Sequence, residues 1–371
     1  MKAQEDTLKT TALHAWHQER DARLVDFFGW HLPVQYEGLL AEHRAVRSTA
    51  GLFDVSHMGE IAVRGPGAFE AVQGLVSNDI SKLAVGEIIY TVACYENGGA
   101  VDDLLVYRLG EESFLLVVNA SNIEKDFEHF RANLSGPDCV NLSDEYAQIA
   151  LQGPASRDIL SAAHPEFADI VRGLGFYTFA EVELAGQSII VSRTGYTGEL
   201  GFELYLPNAL AADEARRLMS LGESMGLVPA GLGARDLLRF EASYCLYGHE
   251  LDEETDPYEA GLSWLVKIDK GDFIGRDALI ARKGDPAARR LIGFKLPGRK
   301  IARQGFPIYS GDEKVGQVTS GSFCPNLDAS MGMARVARGF TKKALQVDIR
   351  GERIDIERVK MPFYQQPALR A

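Results

Sequence analysis

The sequence predicts an α+β protein of several domains that closes on a small all-β domain. Three observations carry this reading. A strand, a tight glycine turn and a helical run occur together twice, at 61–76 and at 149–163. Strand-like and helical runs alternate between and beyond these copies, as in a mixed fold. The composition then changes at about residue 282, and beyond 305 short strand-like runs are separated by glycines. A chain of 371 residues has room for two or three such domains.

Taken in order, residues 7–28 carry a helix-like pattern ending in Val25-Asp26-Phe27-Phe28-Gly29-Trp30, and Pro33 is expected to close it. A second helix is expected over 38–48, with Leu39, Leu40, His43 and Val46 at helical spacing. The run Gly51-Leu52-Phe53-Asp54-Val55-Ser56-His57-Met58-Gly59-Glu60 reads as a turn, a short apolar piece and a polar cluster. His57 invites a catalytic or metal-binding role, but a lone histidine in a half-buried strand is read as a hydrogen-bonded structural group.

In the repeated unit, Ile61-Ala62-Val63-Arg64-Gly65-Pro66 leads to a helix over 68–76, and Ile149-Ala150-Leu151-Gln152-Gly153-Pro154 leads to one over 156–163. Proline is expected at the first helical position, where its missing N–H costs nothing. Between the copies, strands are expected at 88–94, 101–107 and 114–119, and Asn122 is a candidate N-cap for the helix that follows.

The stretch Gly98-Gly99-Ala100-Val101-Asp102-Asp103-Leu104 stands out. Carboxylates are poor strand residues, yet two open an apolar strand. Alternation puts Asp103, Leu105 and Tyr107 on one face and Asp102, Leu104 and Val106 on the other. If both faces pack, at least one carboxylate enters a low-dielectric space and needs a partner or a proton. The same residues also fit an ordinary hairpin turn whose carboxylates sit in water.

After the second copy, strands are expected at 182–184 and 189–191. They lead into Arg193-Thr194-Gly195-Tyr196-Thr197-Gly198-Glu199-Leu200-Gly201-Phe202-Glu203, whose glycines allow a ligand close to the backbone. Alternation of Phe202, Leu204 and Leu206 with Glu203 and Tyr205 favours an exposed Glu203. A helix is expected from Gly231-Leu232-Gly233-Ala234-Arg235-Asp236 to about 245; Asp236 replaces the third glycine that a nucleotide loop needs. Glu250, Asp252, Glu253, Glu254 and Asp256 read as a solvated turn rather than a cation site. A strand is expected at 261–266. Arg282 to Arg303 hold eight basic residues and one acid, either a charged linker with strand surface or a docking site.

A net charge of −13 argues against general nucleic-acid binding and against a basic membrane-surface role. No run approaches the length of a membrane span, and the polar stretch 1–11 has no apolar signal region. Cys94, Cys139, Cys245 and Cys324 are widely spaced and read as reduced thiols of a cytoplasmic protein. No Walker loop, zinc spacing or nucleophile elbow is present.

Seven runs in register give a resemblance that goes further: Val25–Trp30, Phe53–Met58, Gly98–Leu104, Val117–Ala120, Arg193–Glu199, Gly231–Asp236 and Gly261–Trp264. Together they cover nearly the whole chain, which resembles the aminomethyltransferase family, the T-proteins of the glycine cleavage system. The resemblance implies an α+β fold in a three-domain cloverleaf, with folate-binding lobes of ferredoxin-like character and a small C-terminal β-barrel. It implies two interleaved α+β lobes over 1–280, the central one about 55–140, and a barrel over 281–371. Tetrahydrofolate is the implied one-carbon acceptor, and the lipoyl arm of H-protein is the implied carrier of the aminomethyl group. No metal is implied. The implied products are 5,10-methylenetetrahydrofolate, ammonia and the dihydrolipoyl carrier.

The family's catalytic carboxylate falls on Asp103, with Asp102 structural. Its folate contacts fall on Met58, Tyr90, Tyr107, Asn119, Tyr196, Glu203 and Arg235, and further on Tyr177 and Trp264. Glu203 would then accept from the pterin ring, against its exposed reading from pattern. A carboxylate suits the reaction, because an amine attacks an electrophilic methylene and an iminium-like cation develops on the way. The basic stretch, through Arg299 and Arg303, is a candidate dock for an acidic carrier. A folate-dependent demethylase of a small methylated donor and a non-catalytic folate-binding protein are the alternatives; the retained Asp103 argues against the second.

Overall fold

The computed structural model describes residues 8–285 and 288–366, so much of the polar stretch 1–11 lies outside the described residues. Two compact units emerge. Among the described residues, one comprises 8–61, 141–238 and 366, and the other comprises 62–140 and 239–365.

The first unit is built on a six-stranded sheet, in the order Phe179–Leu184, Gln187–Ser192, Gly201–Pro207, Tyr146–Gln152, Ala50–Asp54 and Leu227–Pro229. Neighbours run antiparallel except the last pair. Helices Ser156–Ala163 and Asn208–Gly222 belong to the core that Ile149, Leu151, Leu160, Phe202, Leu204 and Leu218 form. The opposite face carries Phe53, Val55, Ala150, Ala234 and Leu238. Both faces are therefore covered, and this overturns the exposed reading of Glu203. Phe202, Leu204 and Leu206 enter one core, while Glu203, paired across the ladder with Ala150, and Tyr205 are buried on the other side.

The start of this unit also departs from expectation. The helix is only His14–Gln18, and residues 23–35 form a hairpin of strands Arg23–Phe27 and Trp30–Gln35. Phe28 and Gly29 both hold left-handed backbone (φ +51° and +83°), the two-residue turn whose twist suits a hairpin. Pro33 sits inside the second strand, beside a register irregularity. The helix expected over 38–48 forms as Leu39–Ser48, burying His43 and Val46 but leaving Leu40 exposed.

The second unit contains a five-stranded sheet in the order Ile88–Cys94, Ala100–Gly110, Ser113–Val118, Gly59–Arg64, Asp138–Asn141. It also contains a closed barrel of Arg289–Leu296, Ala329–Ala337, Glu313–Cys324, Pro307–Ser310, Leu345–Ile349 and Glu352–Val359. Phe294, Leu296, Ile308, Val318, Val336 and Val347 fill the barrel core. The small all-β domain thus stands, with two strands that the pattern concealed. Arg289–Leu296 lies within the basic stretch, and Ala329–Ala337 has no clean alternation because it is buried along nearly its whole length.

Three further readings are corrected in this unit. The helix expected to reach 245 ends at Glu241, where Ser243 adopts left-handed backbone (φ +55°). The strand expected at 261–266 is a 3₁₀ turn, Ser263–Leu265. The acidic cluster is not a solvated turn. Glu250 is fully buried on Arg239 (3.0 Å), Asp256 pairs with Arg282 (3.1 Å), and Asp252 pairs with Arg335 (3.0 Å); only Glu253 and Glu254 are exposed. Each buried carboxylate meets a guanidinium, which offsets its desolvation. Among the described residues no group of three or more His, Cys, Asp or Glu is arranged to hold a metal ion.

Both copies of the strand–turn–helix unit form, with helices Ala68–Leu75 and Ser156–Ala163. Pro66 and Pro154 fall two residues ahead of the helix rather than at its first position. The turn glycines Gly65 (φ +101°) and Gly153 (φ +130°) differ in surroundings. A Cβ on Gly65 meets open space, whereas one on Gly153 would sit 2.4 Å from the Thr49 carbonyl oxygen and 2.7 Å from the Ala50 Cα. Gly65→Ala is expected to cost about 1 kcal/mol of backbone strain, and Gly153→Ala about 3 kcal/mol or more because backbone must also move. Urea denaturation of the two variants checks the difference; equal losses would show that packing against 49–50 does not matter.

Candidate active site

The glycine pair before the two aspartates is fixed by close approach. Gly98 has φ +84°, and a Cβ on Gly99 would fall 1.8 Å from the Glu253 carbonyl oxygen. Tyr95 N–H donates to Gly99 O and Gly98 N–H to Tyr95 O, both at 2.8 Å. A register irregularity follows at Ala93/Cys94, where the strand Ala100–Gly110 begins. Such a bulge sets where the next side chains point.

The two aspartates then diverge. Asp102, Leu104 and Val106 lie on a fully buried face, while Asp103 and Leu105 are half-buried. Asp102 Oδ2 accepts the Asn119 backbone N–H (2.8 Å), and Oδ1 accepts Asn119 Nδ2 (2.8 Å) and Asn122 Nδ2 (2.7 Å). Asn122 stands at the N-cap position of the helix Ile123–Asn133, but its side chain makes no cap bond; it is spent on Asp102. Asp103 Oδ2 accepts the Tyr90 hydroxyl (2.6 Å), and Oδ1 accepts Asn119 Nδ2 (3.0 Å). The Leu105↔Val117 register, continued by two residues, brings Asn119 opposite Asp103. Asn119 is therefore a bridge: its amide touches both carboxylates. Burial, and then the Asp102 charge, push Asp103 up to about 7, against the pull of the Tyr90 and Asn119 hydrogen bonds.

Around this pair, the Tyr90 ring lies 6.0 Å from that of Trp264, which is 58% exposed. Tyr107, farther along the strand from Asp103, is fully buried. Asp103, Tyr90, Tyr107, Asn119 and Trp264 all belong to the second unit.

The other five expected residues belong to the first unit. Glu203 is buried; one oxygen accepts Gln148 Nε2 (3.1 Å) and the other the Thr194 hydroxyl. Burial raises its pKa, opposed by the Thr194 hydrogen bond, the Arg235 charge and Gln148. The Arg235 guanidinium lies over the Tyr196 ring at 4.7 Å from its centroid. Burial lowers the Arg235 pKa, while Tyr196, Glu203 and Tyr205 support the charge. Met58 packs on the cluster of Phe53, Val55, Ala234 and Leu238. Tyr177 has left-handed backbone (φ +60°) and an edge contact with Phe176.

Two glycines of the loop before Glu203 are fixed by close approach. A Cβ on Gly195 would fall 1.9 Å from Gln152 Oε1, and one on Gly201 2.3 Å from Gln152 Nε2. Gln152 donates to Thr194 O (3.1 Å) and accepts from the Thr197 hydroxyl (2.9 Å). These two glycines make room for a protein side chain.

His57 is buried as expected but differs in detail: among the described residues its Nδ1 has no hydrogen-bond partner, and its ring packs edge-on against Phe27. Burial, reinforced by the Arg235 charge, depresses its pKa to about 3, so it stays neutral. Residues the sequence did not single out include Gln148, Thr194 and Gln152. Each is a polar residue in or beside a strand that reads as apolar, and only its burial marks it.

The geometry in the second unit, an aimed carboxyl beside a fully paired one, suits reactions that pass through a cation. Comparison with known proteins agrees with that class. Residues 13–270 match the family described as the GCVT N-terminal domain, and residues 289–365 the glycine cleavage T-protein C-terminal barrel domain. The chain is 49% identical over 359 residues to an aminomethyltransferase of Halothermothrix orenii, covering 96% of this chain and all of that one. It is 48% identical to an aminomethyltransferase of Rubrobacter xylanophilus, covering 97% and 95%. The crystal structure of glycine cleavage system aminomethyltransferase T from Bartonella henselae superposes with a TM-score of 0.90 at 34% identity, covering 97% and 99%. The fold and the relatives are those of a one-carbon transferase. More particularly, the chain belongs to the glycine cleavage T-protein family, and its activity is aminomethyl transfer.

The raised Asp103 pKa has a sign that denaturation can read. In the unfolded chain an aspartate titrates near ~3.9, so between about pH 4 and about pH 7 the folded state holds the extra proton and stability falls as pH rises. Asp103→Asn cannot titrate. Its stability relative to wild type is expected to rise by about 4 kcal/mol between about pH 4 and about pH 8. A flat difference would mean that Asp103 ionises like a free aspartate.

Proposed function

We propose that the aminomethyl group is received from the lipoyl arm of H-protein and that its methylene carbon passes to tetrahydrofolate. The products are 5,10-methylenetetrahydrofolate, ammonia and the dihydrolipoyl carrier. The observation that carries this reading is the placement of Asp103: half-buried, fixed by Tyr90 and Asn119, and beside an Asp102 that already accepts three N–H hydrogen bonds.

Asp103 is the proposed catalytic residue. A carboxyl in this setting accepts a hydrogen bond from the folate amine, holds that amine in line, and stabilises the cation that forms as the carbon–nitrogen bond to ammonia breaks. Its pKa near 7 keeps both protonation states within reach at physiological pH, which suits a group that meets an amine before and after proton movement. Asn119 fixes its rotamer, and Tyr90 supplies a second anchor.

In the first unit, Glu203 is the proposed acceptor for the N–H edge of the pterin, with Arg235, Tyr196, Met58 and Tyr177 as further folate contacts. In the second, Tyr90, Tyr107, Asn119 and Trp264 complete the set. The stacked Tyr196 and Arg235, and the exposed indole of Trp264, are surfaces on which a flat ring gains contact area. The cytoplasm is the proposed compartment, on the strength of four free cysteines.

For the carrier, the basic stretch narrows. Arg282 pairs with Asp256, Arg289 with Glu259 (2.8 Å), and Lys300 with Glu352 (2.6 Å). Arg299 is 81% exposed and only loosely paired with Asp328 (3.5 Å), and Arg303 is exposed. These two are the proposed contacts for an acidic carrier surface.

Two experiments test the reading. In single turnover with aminomethyl-loaded carrier, Asp103→Asn is expected to lose about 10²-fold or more in rate while still binding folate. A wild type that binds folate and ignores the carrier would move the function to another methyl donor. Charge reversal at Arg299 and Arg303 is expected to raise the apparent KM for carrier about tenfold and leave folate binding alone. Unchanged carrier kinetics would remove the docking assignment.

A further inference from the structure

The outer wall of the barrel gathers positive charge. Its strands Arg289–Leu296, Ala329–Ala337 and Glu313–Cys324 lie side by side, and alternation sorts their residues. Ala334 and Val336 fill the barrel core, so Arg335 and Ala337 project from the outer face. Across the ladders, Gln317 stands opposite Arg335, and Arg289 stands opposite Ala337. Arg289 is therefore the diagonal neighbour of Arg335, within the roughly 7–8 Å that long side chains bridge. These residues line an open groove of about 290 Å³, joined by Lys314 and Glu313 and by Phe340 from the 3₁₀ turn Arg338–Phe340. That is roughly ten water volumes, room for a small anion with an organic part attached. No residue of the candidate active site lines this groove.

Arg335 is the unusual member. Its side chain is only 7% exposed, and Nη2 donates to Asp252 Oδ2 at 3.0 Å. Nε and Nη1 are buried and have no hydrogen-bond partner among the described residues. Few buried donors in native proteins go without an acceptor, and a bound anion is one way that need is met. The surroundings favour an anion over a neutral acceptor. Arg289 donates Nε and Nη2 to Glu259 while its side chain stays 43% exposed, and Lys314 is exposed. Lys343 lies over the Phe340 ring, 4.0 Å from its centroid. Asp252 and Glu259 bond the arginines but do not line the groove. Its lining holds three cations and one acid, Glu313, which is exposed. In a chain of net charge −13, that local surplus runs against the whole.

We propose that this groove binds the phosphate group of a small molecule, held by Arg335, Arg289 and Lys314 with the Phe340 ring beside it. Cations from three strands can meet a tetrahedral, doubly charged anion on more sides than a planar carboxylate offers. The Phe340 ring gives a flat apolar wall to the organic part of the ligand. The site goes beyond the transferase reading and does not depend on it.

The test uses the whole protein with inorganic phosphate as the probe, followed by phosphorus NMR line broadening at fixed ionic strength. Saturable binding with a Kd of about 1 mM is expected. Lys314→Glu is expected to weaken it about tenfold, and Arg335→Lys, which keeps the charge but loses the guanidinium donors, about fivefold. Lys82→Glu makes the same charge change at a side chain that is 78% exposed and outside the groove, and is expected to leave binding unchanged. Succinate is expected to displace phosphate at least about tenfold less effectively than phosphate itself. Binding that both groove variants leave unchanged overturns the site. So does broadening that never saturates, or an equal loss in Lys82→Glu, since either reduces the effect to general charge attraction. Succinate that competes as well as phosphate overturns the phosphate assignment. If Arg335→Lys does not fold, Lys314→Glu, changed at an exposed position, decides alone. A wild type that transfers no carbon defeats the transferase reading and not this site, because binding is read without turnover.

Discussion

The bridging amide of Asn119 is the interaction on which the arrangement of the second unit's paired acids depends. Two adjacent carboxylates at the start of a buried strand repel each other and lose water together. One side chain, at the end of the neighbouring strand, donates to Asp102 Oδ1 at 2.8 Å and to Asp103 Oδ1 at 3.0 Å. Its backbone N–H adds a further bond to Asp102. Leaving such groups unpaired costs on the order of several kcal/mol, so the register that brings Asn119 opposite Asp103 is also a condition of folding. The glycine turn, the bulge and the diversion of Asn122 from its cap all serve that register.

The same logic recurs in the first unit in a different chemistry. Glu203 is buried between an amide and a hydroxyl, within the field of Arg235. A carboxyl with a raised pKa that still accepts hydrogen bonds is a group held ready for a partner. In both units one acid is held by neighbouring polar side chains that donate to both of its oxygens. That division of labour, with rigid neighbours around an available acid, gives orientation at low entropic cost when a ligand arrives.

Much of the fold could be read from local pattern. The strands around the aspartates, both copies of the glycine-turn unit and the final all-β domain rest on periodicity and turn residues, and these survive in the structure. What failed had a common cause. Glu203 and Tyr205 read as an exposed face, and Glu250 and Asp256 as a solvated turn. In each case the pattern assumes water on one side, while the fold supplies a second layer or a guanidinium from a distant part of the chain. The opening hairpin failed for another reason: Phe28 takes left-handed backbone that residue type alone does not announce. Of the candidate site, the Asp102–Asp103 pair stood out from chemistry. The choice of Asp103 and the proposed folate contacts came from resemblance, and Gln148 and Gln152 became visible only once burial was known.

Gln152 carries one more implication. Its amide occupies the volume that side chains at 195 and 201 would need, and it closes hydrogen bonds to the loop those glycines flank. The three positions are therefore not independent choices for an evolving sequence. A larger residue at 195 or 201 is admissible only after 152 has shrunk, and a shrunken 152 abandons the loop before either glycine can compensate. Single-step paths away from this arrangement pass through a damaged intermediate, so the trio is expected to drift as a block or stay fixed.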